Sequence, residues 1–249
     1  MRFYSIRTRV FLRSFRQTLF IALGHGRLYI LLLLASCSWL QEDERLPIRE
    51  AFVVSGAITA KSAQLVLGAP GATTARLLLA TAPDNFENAI TSEVVRLRSE
   101  GYYTSKIAFT GLQADTDYYY RAEIDGQPDT TGLLSGHFRT FAGEEPASFR
   151  FCFGSCQRTG SDATIFTTIL EEDPLFFLQT GDLHYGDVGA ACFDRLARYY
   201  YATFNSPTQR QLYRQVPFVY MWDDHDYGPN NSDRSAPCRF ASVNLYQQF

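Results

Sequence analysis

The 249-residue chain has little of what would mark a specialised class of protein. It lacks a surplus of positive charge: 23 Lys and Arg stand against 26 Asp and Glu, for a net charge of −3. A nucleic-acid backbone is therefore not the expected partner. No uninterrupted apolar run reaches the roughly 20 residues that span a bilayer, which excludes a polytopic membrane protein. Internal repeats and low-complexity tracts are missing, so solenoid and collagen-like architectures are excluded. Five cysteines are too few, in a chain this long, for a scaffold held together by disulfides. What is left is ordinary globular composition, 46% hydrophobic and 15% aromatic, enough for one large domain or two small ones.

Acidic residues are absent before Glu42, whereas Arg2, Arg7, Arg9, Arg13 and Arg16 precede the apolar run Leu28–Leu34. A basic start, a short apolar stretch and the small residues Ala35 and Ser36 predict a secretory signal over residues 1–37. Leu34-Ala35-Ser36-Cys37 also resembles a lipobox, whose lipidated Cys37 would anchor the chain to a membrane. An uncleaved anchor helix beginning near Leu19 and an organellar transit peptide are the competing readings; His25 and Arg27 count against the first. Residues 38–48 read as a polar tether. The expected location is outside the cytoplasm: periplasm, membrane surface or medium.

Residues 49–142 alternate short β-prone runs with turn residues. Candidate strands are Ala51–Ser55, Ala63–Leu67, Ala75–Ala80, Glu93–Leu97, Lys106–Phe109, Tyr118–Ile124 and Gly136–Phe141. Short strands at this spacing predict a β-sandwich. Leu112-Gln113-Ala114-Asp115-Thr116-Asp117-Tyr118 has the spacing of a tyrosine corner, so Tyr118 is a packing residue and the segment resembles a fibronectin type III-like domain. His137 falls in a sandwich strand and is assigned no function.

After Gly143-Glu144-Glu145-Pro146 the pattern changes. Phe149–Phe153, Leu175–Leu178 and Pro217–Trp222 read as strands, the first two as buried ones. Ala163–Glu172 and Ala190–Phe204 read as helices, with a further helical turn or two at Arg210–Gln215. Strand alternating with helix predicts a parallel sheet over residues 148–249. Polar clusters follow each strand: Gly154-Ser155-Cys156-Gln157, Gly181-Asp182-Leu183-His184-Tyr185-Gly186-Asp187, and Trp222-Asp223-Asp224-His225-Asp226-Tyr227-Gly228-Pro229-Asn230-Asn231. Ligands of open α/β sheets bind outside the carboxyl ends of the strands, so the three clusters should converge. Carboxylate and amide oxygens suit hard cations, and a thiolate and a phenolate suit iron or another transition metal. The expected centre is a two-metal hydrolase site.

The motifs at 181–187 and 222–231, with Gly154-Ser155-Cys156, closely resemble those of PhoD-like metallophosphatases, the alkaline phosphatase D family. The resemblance implies a mixed fold: an all-β fibronectin type III-like sandwich followed by an incomplete α/β metallophosphoesterase-type domain. It implies Fe³⁺ and Ca²⁺ as cofactors and a phosphate mono- or diester as substrate. Cys156 and Tyr185 would ligate Fe³⁺, Asp182 would bridge the metals, and Asp224 would reach the Ca²⁺ side. His225 would stabilise phosphoryl oxygens or protonate the leaving group, with a metal-bound hydroxide as nucleophile. One of Asn230 and Asn231 would contact Ca²⁺ or phosphate, Asn230 being the substrate-binding candidate.

Other residues carry weaker expectations. His184 is a supporting or surface group outside the metal set. Asp187 and Asp226 orient ligands or cap helices. Cys152 is core, and Cys192 and Cys238 could pair in an exported protein without the sequence placing them together. Family members continue beyond the third cluster with a Gly-Asp-Val-His-type motif, which predicts that this chain is a partial catalytic unit with an open apolar sheet face. The competing reading is a surface-anchored sandwich that binds a ligand beside a non-functional catalytic half.

Overall fold

In the computed structural model the described residues are 20–24, 27–31, 46, 48, 50–144 and 146–249. Within the first 44 residues, β1 (Phe20–Gly24) pairs antiparallel with β2 (Arg27–Leu31). The rest of the expected signal, Cys37 included, lies outside the described residues. Among the described residues no helix is long and apolar enough to cross a membrane.

Residues 45–249 form one compact unit. Its first half is a sandwich of two antiparallel sheets. One sheet joins β3 (Phe52–Gly56), β4 (Ser62–Gly68) and β8 (Thr104–Thr110) in that order. The other is built on β5 (Thr74–Ala80) and β9 (Asp117–Ile124), with β6 (Ile90–Thr91), β7 (Val95–Arg96), β10 (Gln127–Pro128) and β11 (Ser135–Arg139) along their edges. Leu65, Leu67, Leu77, Leu79, Ala122 and Phe138 interdigitate between the sheets. The Tyr118 hydroxyl accepts the Gln113 N–H at 2.9 Å, which closes the tyrosine corner. The expected strand Glu93–Leu97 shrinks to Val95–Arg96, because only Thr74 and Ala75 of β5 pair with it.

Strand β3 is buried on both faces, and this joins the halves. Val53 enters the sandwich core, while Phe52 and Val54 join a second core with residues of the α/β half. That half has a three-stranded parallel sheet, β12 (Phe151–Gly154), β13 (Phe176–Thr180) and β14 (Phe218–Met221), in that order. Its helices are α1 (Ile165–Glu171), α2 (Cys192–Phe204), α3 (Pro207–Tyr213), α4 (Asp224–Tyr227) and α5 (Arg239–Gln248). Helix α3 begins earlier than the expected Arg210, since Pro207 opens its first turn, where a missing N–H costs nothing. Cys192 and Cys238 form a disulfide joining the N-terminal ends of α2 and α5. Closing a segment with a separation of 46 residues stabilises by roughly 2–4 kcal/mol, chiefly by restricting the unfolded chain.

Cys152, Phe177 and Phe218 share one face of the parallel sheet, and Phe177 and Phe218 are buried beneath the helices and β3. Phe151, Phe153, Phe176, Leu178, Val219 and Met221 share the other face. Phe153 is 71% exposed, and Phe151, Val219 and Met221 are exposed as well. The first strand is therefore not a buried one: half of its side chains meet no second layer. Ile165 of α1 is likewise exposed, and among that helix's residues only Phe166 is buried.

Candidate metal centre

The three polar clusters meet at the carboxyl ends of the three parallel strands. Gly181 makes the meeting possible. It has φ +111°, and a Cβ there would lie 2.5 Å from the Cβ of Asp223. The next residue, Asp182, has φ +53°, and Cys156 and Asp187 are also left-handed, at +59° and +47°. Such backbone is unfavourable for these side chains and persists only where surrounding bonds hold it. The bonds are present: the Cys156 N–H donates to the Gly181 carbonyl at 3.1 Å, and the Gln157 N–H to the Asp182 carbonyl at 3.1 Å. The buried Gln179 side chain donates to the Gly181 carbonyl at 2.7 Å, and the Tyr185 N–H donates to Thr159 Oγ1 at 2.8 Å.

Side-chain oxygens of Asp182 and Asp224 and a ring nitrogen of His225 lie within 4.8 Å of one another. Asp182 uses one oxygen to accept the Tyr185 hydroxyl at 2.9 Å. Its other oxygen, Oδ1, is buried and receives no hydrogen bond from any side chain or backbone group. A buried carboxylate oxygen left in this way is costly, and a cation supplies what is missing. Hard oxygens and an imidazole are a suitable donor set. The residues present therefore fit a metal ion.

Cys156 does not join that compact set. Its thiol lies beside the Tyr185 hydroxyl. Partial burial, then Cys156 and Asp182, push the Tyr185 phenol above its ordinary range. The negative field that disfavours the phenolate also attracts a cation. The Tyr185 ring is 4.2 Å, centroid to centroid, from the His225 ring. His225 Nδ1 is 2.7 Å from Asp187 Oδ1. Burial opposes charge on this imidazole, but hydrogen bonding and attraction from Asp187, with Asp182 and Asp224 adding to it, raise its pKa overall.

Helix α4 carries Asp224 and His225 and is fixed by a capping box: the Asp223 and Asp226 carboxylates cap each other's backbone. The Asn231 N–H donates to Asp224 Oδ2, whereas Asn230 is exposed on the following turn. His184 is fully buried rather than a surface group, packed between the Tyr199 and Tyr200 rings. Burial pushes its imidazole down to about 3, so it is neutral at physiological pH. Burial also raises the Asp226 carboxyl to about 6 despite two backbone N–H donors. Gln179 and Thr159 escape a reading of the sequence; the only trace is a glutamine inside an apolar strand.

The solved structure of PhoD matches 79% of this chain with a TM-score of 0.66 and 17% identity, and the chain spans 45% of its length. This similarity supports a PhoD-like arrangement of a β-sandwich followed by part of an α/β domain. A fibronectin type III domain of human collagen alpha-1(XX) matches 39% of the chain at 16% identity and covers 85% of its own length, but its TM-score of 0.28 is too low to argue from. No protein-family model and no curated protein sequence matches the chain.

Proposed function

We propose that this chain is the sandwich and part of the catalytic domain of an exported, metal-dependent phosphoric ester hydrolase. The observation that carries the reading is the convergence of Asp182, Asp224 and His225, together with the buried Asp182 Oδ1 that no donor satisfies. A cation bound there would supply Lewis-acid polarisation of a phosphoryl oxygen and acidify a coordinated water. Asp182 and Asp224 would hold that cation, with Asp182 shared between two ions if both sites fill. The Cys156 thiol and Tyr185 hydroxyl favour Fe³⁺ on their side, and the carboxylates favour Ca²⁺ on the other. His225, held by Asp187, would contact the phosphate and keep a proton available for the leaving oxygen. Asn230 would meet the substrate at the rim. The Cys192–Cys238 disulfide supports an oxidising location, in line with the basic, acid-free N-terminus.

The test is iron uptake by the full chain, followed in the visible spectrum, alongside hydrolysis of p-nitrophenyl and bis(p-nitrophenyl) phosphate. Stoichiometric iron with a phenolate charge-transfer band that Tyr185→Phe removes is the expected result. Iron binding that survives Asp182→Asn unchanged overturns the assignment.

A further inference from the structure

We infer that Asp226 is a positioning residue that brackets two loops of the metal centre, so that Asp182 meets Asp224 and His225. The inference rests on the reading of that centre as a metal site, but its geometric content stands apart from it. Asp226 is 1% exposed, so its carboxylate is withdrawn from solvent and is not itself a ligand facing substrate. Each of its oxygens has a separate task. Oδ2 accepts the Asp223 N–H at 3.0 Å, in the loop after β14. Oδ1 accepts the His184 N–H at 3.1 Å, in the loop after β13 and 42 residues away in sequence.

The two anchored amides flank the candidate ligands. His184 is two residues beyond Asp182, and Asp223 immediately precedes Asp224 and His225. A single carboxylate thus fixes both backbones at the point where Asp182 adopts its left-handed conformation. The His184 ring makes no competing bond to this carboxylate: its Nδ1 stands 4.0 Å from Oδ1, beyond hydrogen-bond reach. The sequence pattern leaves Asp226 either orienting ligands or capping a helix; the His184 amide makes it a cross-loop element as well as a cap.

The experiment compares the full wild-type chain with Asp226→Ala and Asp226→Asn. Amide hydrogen exchange is measured without metal, and Mn²⁺ affinity by calorimetry. Asp226→Asn is the near-isosteric fallback if the alanine variant does not fold, because its amide NH₂ opposes one of the two N–H groups. The expected result is at least about tenfold faster exchange at 182–187 and 222–227 together, with β13 still protected. Mn²⁺ affinity should fall by about 10- to 100-fold, as for other residues that orient ligands. Faster exchange at the 222–227 loop alone reduces Asp226 to a helix cap and overturns the inference, as does faster exchange in both loops with unchanged Mn²⁺ affinity. If the wild-type chain binds no Mn²⁺, the metal reading fails, and the exchange pattern still decides whether Asp226 brackets the loops.

Discussion

His225 Nδ1 lies 2.7 Å from Asp187 Oδ1, across 38 residues of sequence, and a ring nitrogen of the same imidazole lies within 4.8 Å of carboxylate oxygens of Asp182 and Asp224. Asp187→Asn removes the anionic partner that holds the His225 pKa above its ordinary value. The imidazole pKa should fall, as read by NMR titration of the metal-free chain. Ester hydrolysis by the metal-loaded protein should fall by about 10- to 100-fold. An unchanged titration in the variant would show that the carboxylate does not act on the ring.

Gly181→Ala places a Cβ 2.5 Å from that of Asp223, on backbone at φ +111°. Strain of roughly 1–3 kcal/mol is expected from the conformation alone, with the clash in addition. Thermal unfolding should therefore shift downward, and Mn²⁺ affinity should drop with it as the two loops are forced apart. Full stability in this variant would contradict the close approach of the strand ends.

Phe153 and Phe177 lie on the adjacent strands β12 and β13 but face opposite sides of the sheet: one is 71% exposed and the other 2%. Phe153→Ser should leave stability within about 0.5 kcal/mol and reduce binding of a hydrophobic dye. Phe177→Ala should cost about 3–5 kcal/mol in denaturant unfolding. Equal costs at the two positions would mean that the outer sheet face is covered in solution.

Asp125 Oδ1 accepts the Thr73 and Thr74 amides at 3.0 and 2.9 Å, and also both threonine hydroxyls. Bonding from the Thr73 hydroxyl first, then from the two backbone N–H groups, lowers its pKa from 3.8 to about 2. The folded value lies below the unfolded one, so the stabilising contribution is present above the unfolded pKa and is lost as pH falls. The stability difference between wild type and Asp125→Asn should be constant above about pH 5 and shrink toward pH 2. Acid-denaturation series on the two proteins check this, and a difference independent of pH would refute it.

Much of the centre was legible because local grammar and chemistry agree there. Asp182, Tyr185, Asp224 and His225 follow strands recognisable from short apolar runs, and parallel strands place such ends together. The tyrosine corner was legible for the same reason: spacing within a few residues fixes its geometry. Gln179, Thr159 and the His184 amide contact of Asp226 were not, since each depends on a partner brought close only by packing. The disulfide pairing was open for that reason too, until α2 and α5 placed Cys192 beside Cys238.

The sequence by itself determined the order of elements, the sandwich-then-α/β plan and the chemical character of the three clusters. Hydrophobic period, turn residues and residue type are properties of neighbouring positions, and a chain carries them before it folds. Tertiary structure alone decided which face of the parallel sheet is covered. Phe151 and Phe153 are as apolar as Phe177, and only the placement of the helices and β3 distinguishes them. It also decided that Asp182 Oδ1 is left without a donor while both Asp226 oxygens are satisfied. Burial and hydrogen-bond partners are long-range quantities, set by what the rest of the molecule brings to within 3 Å of a given atom.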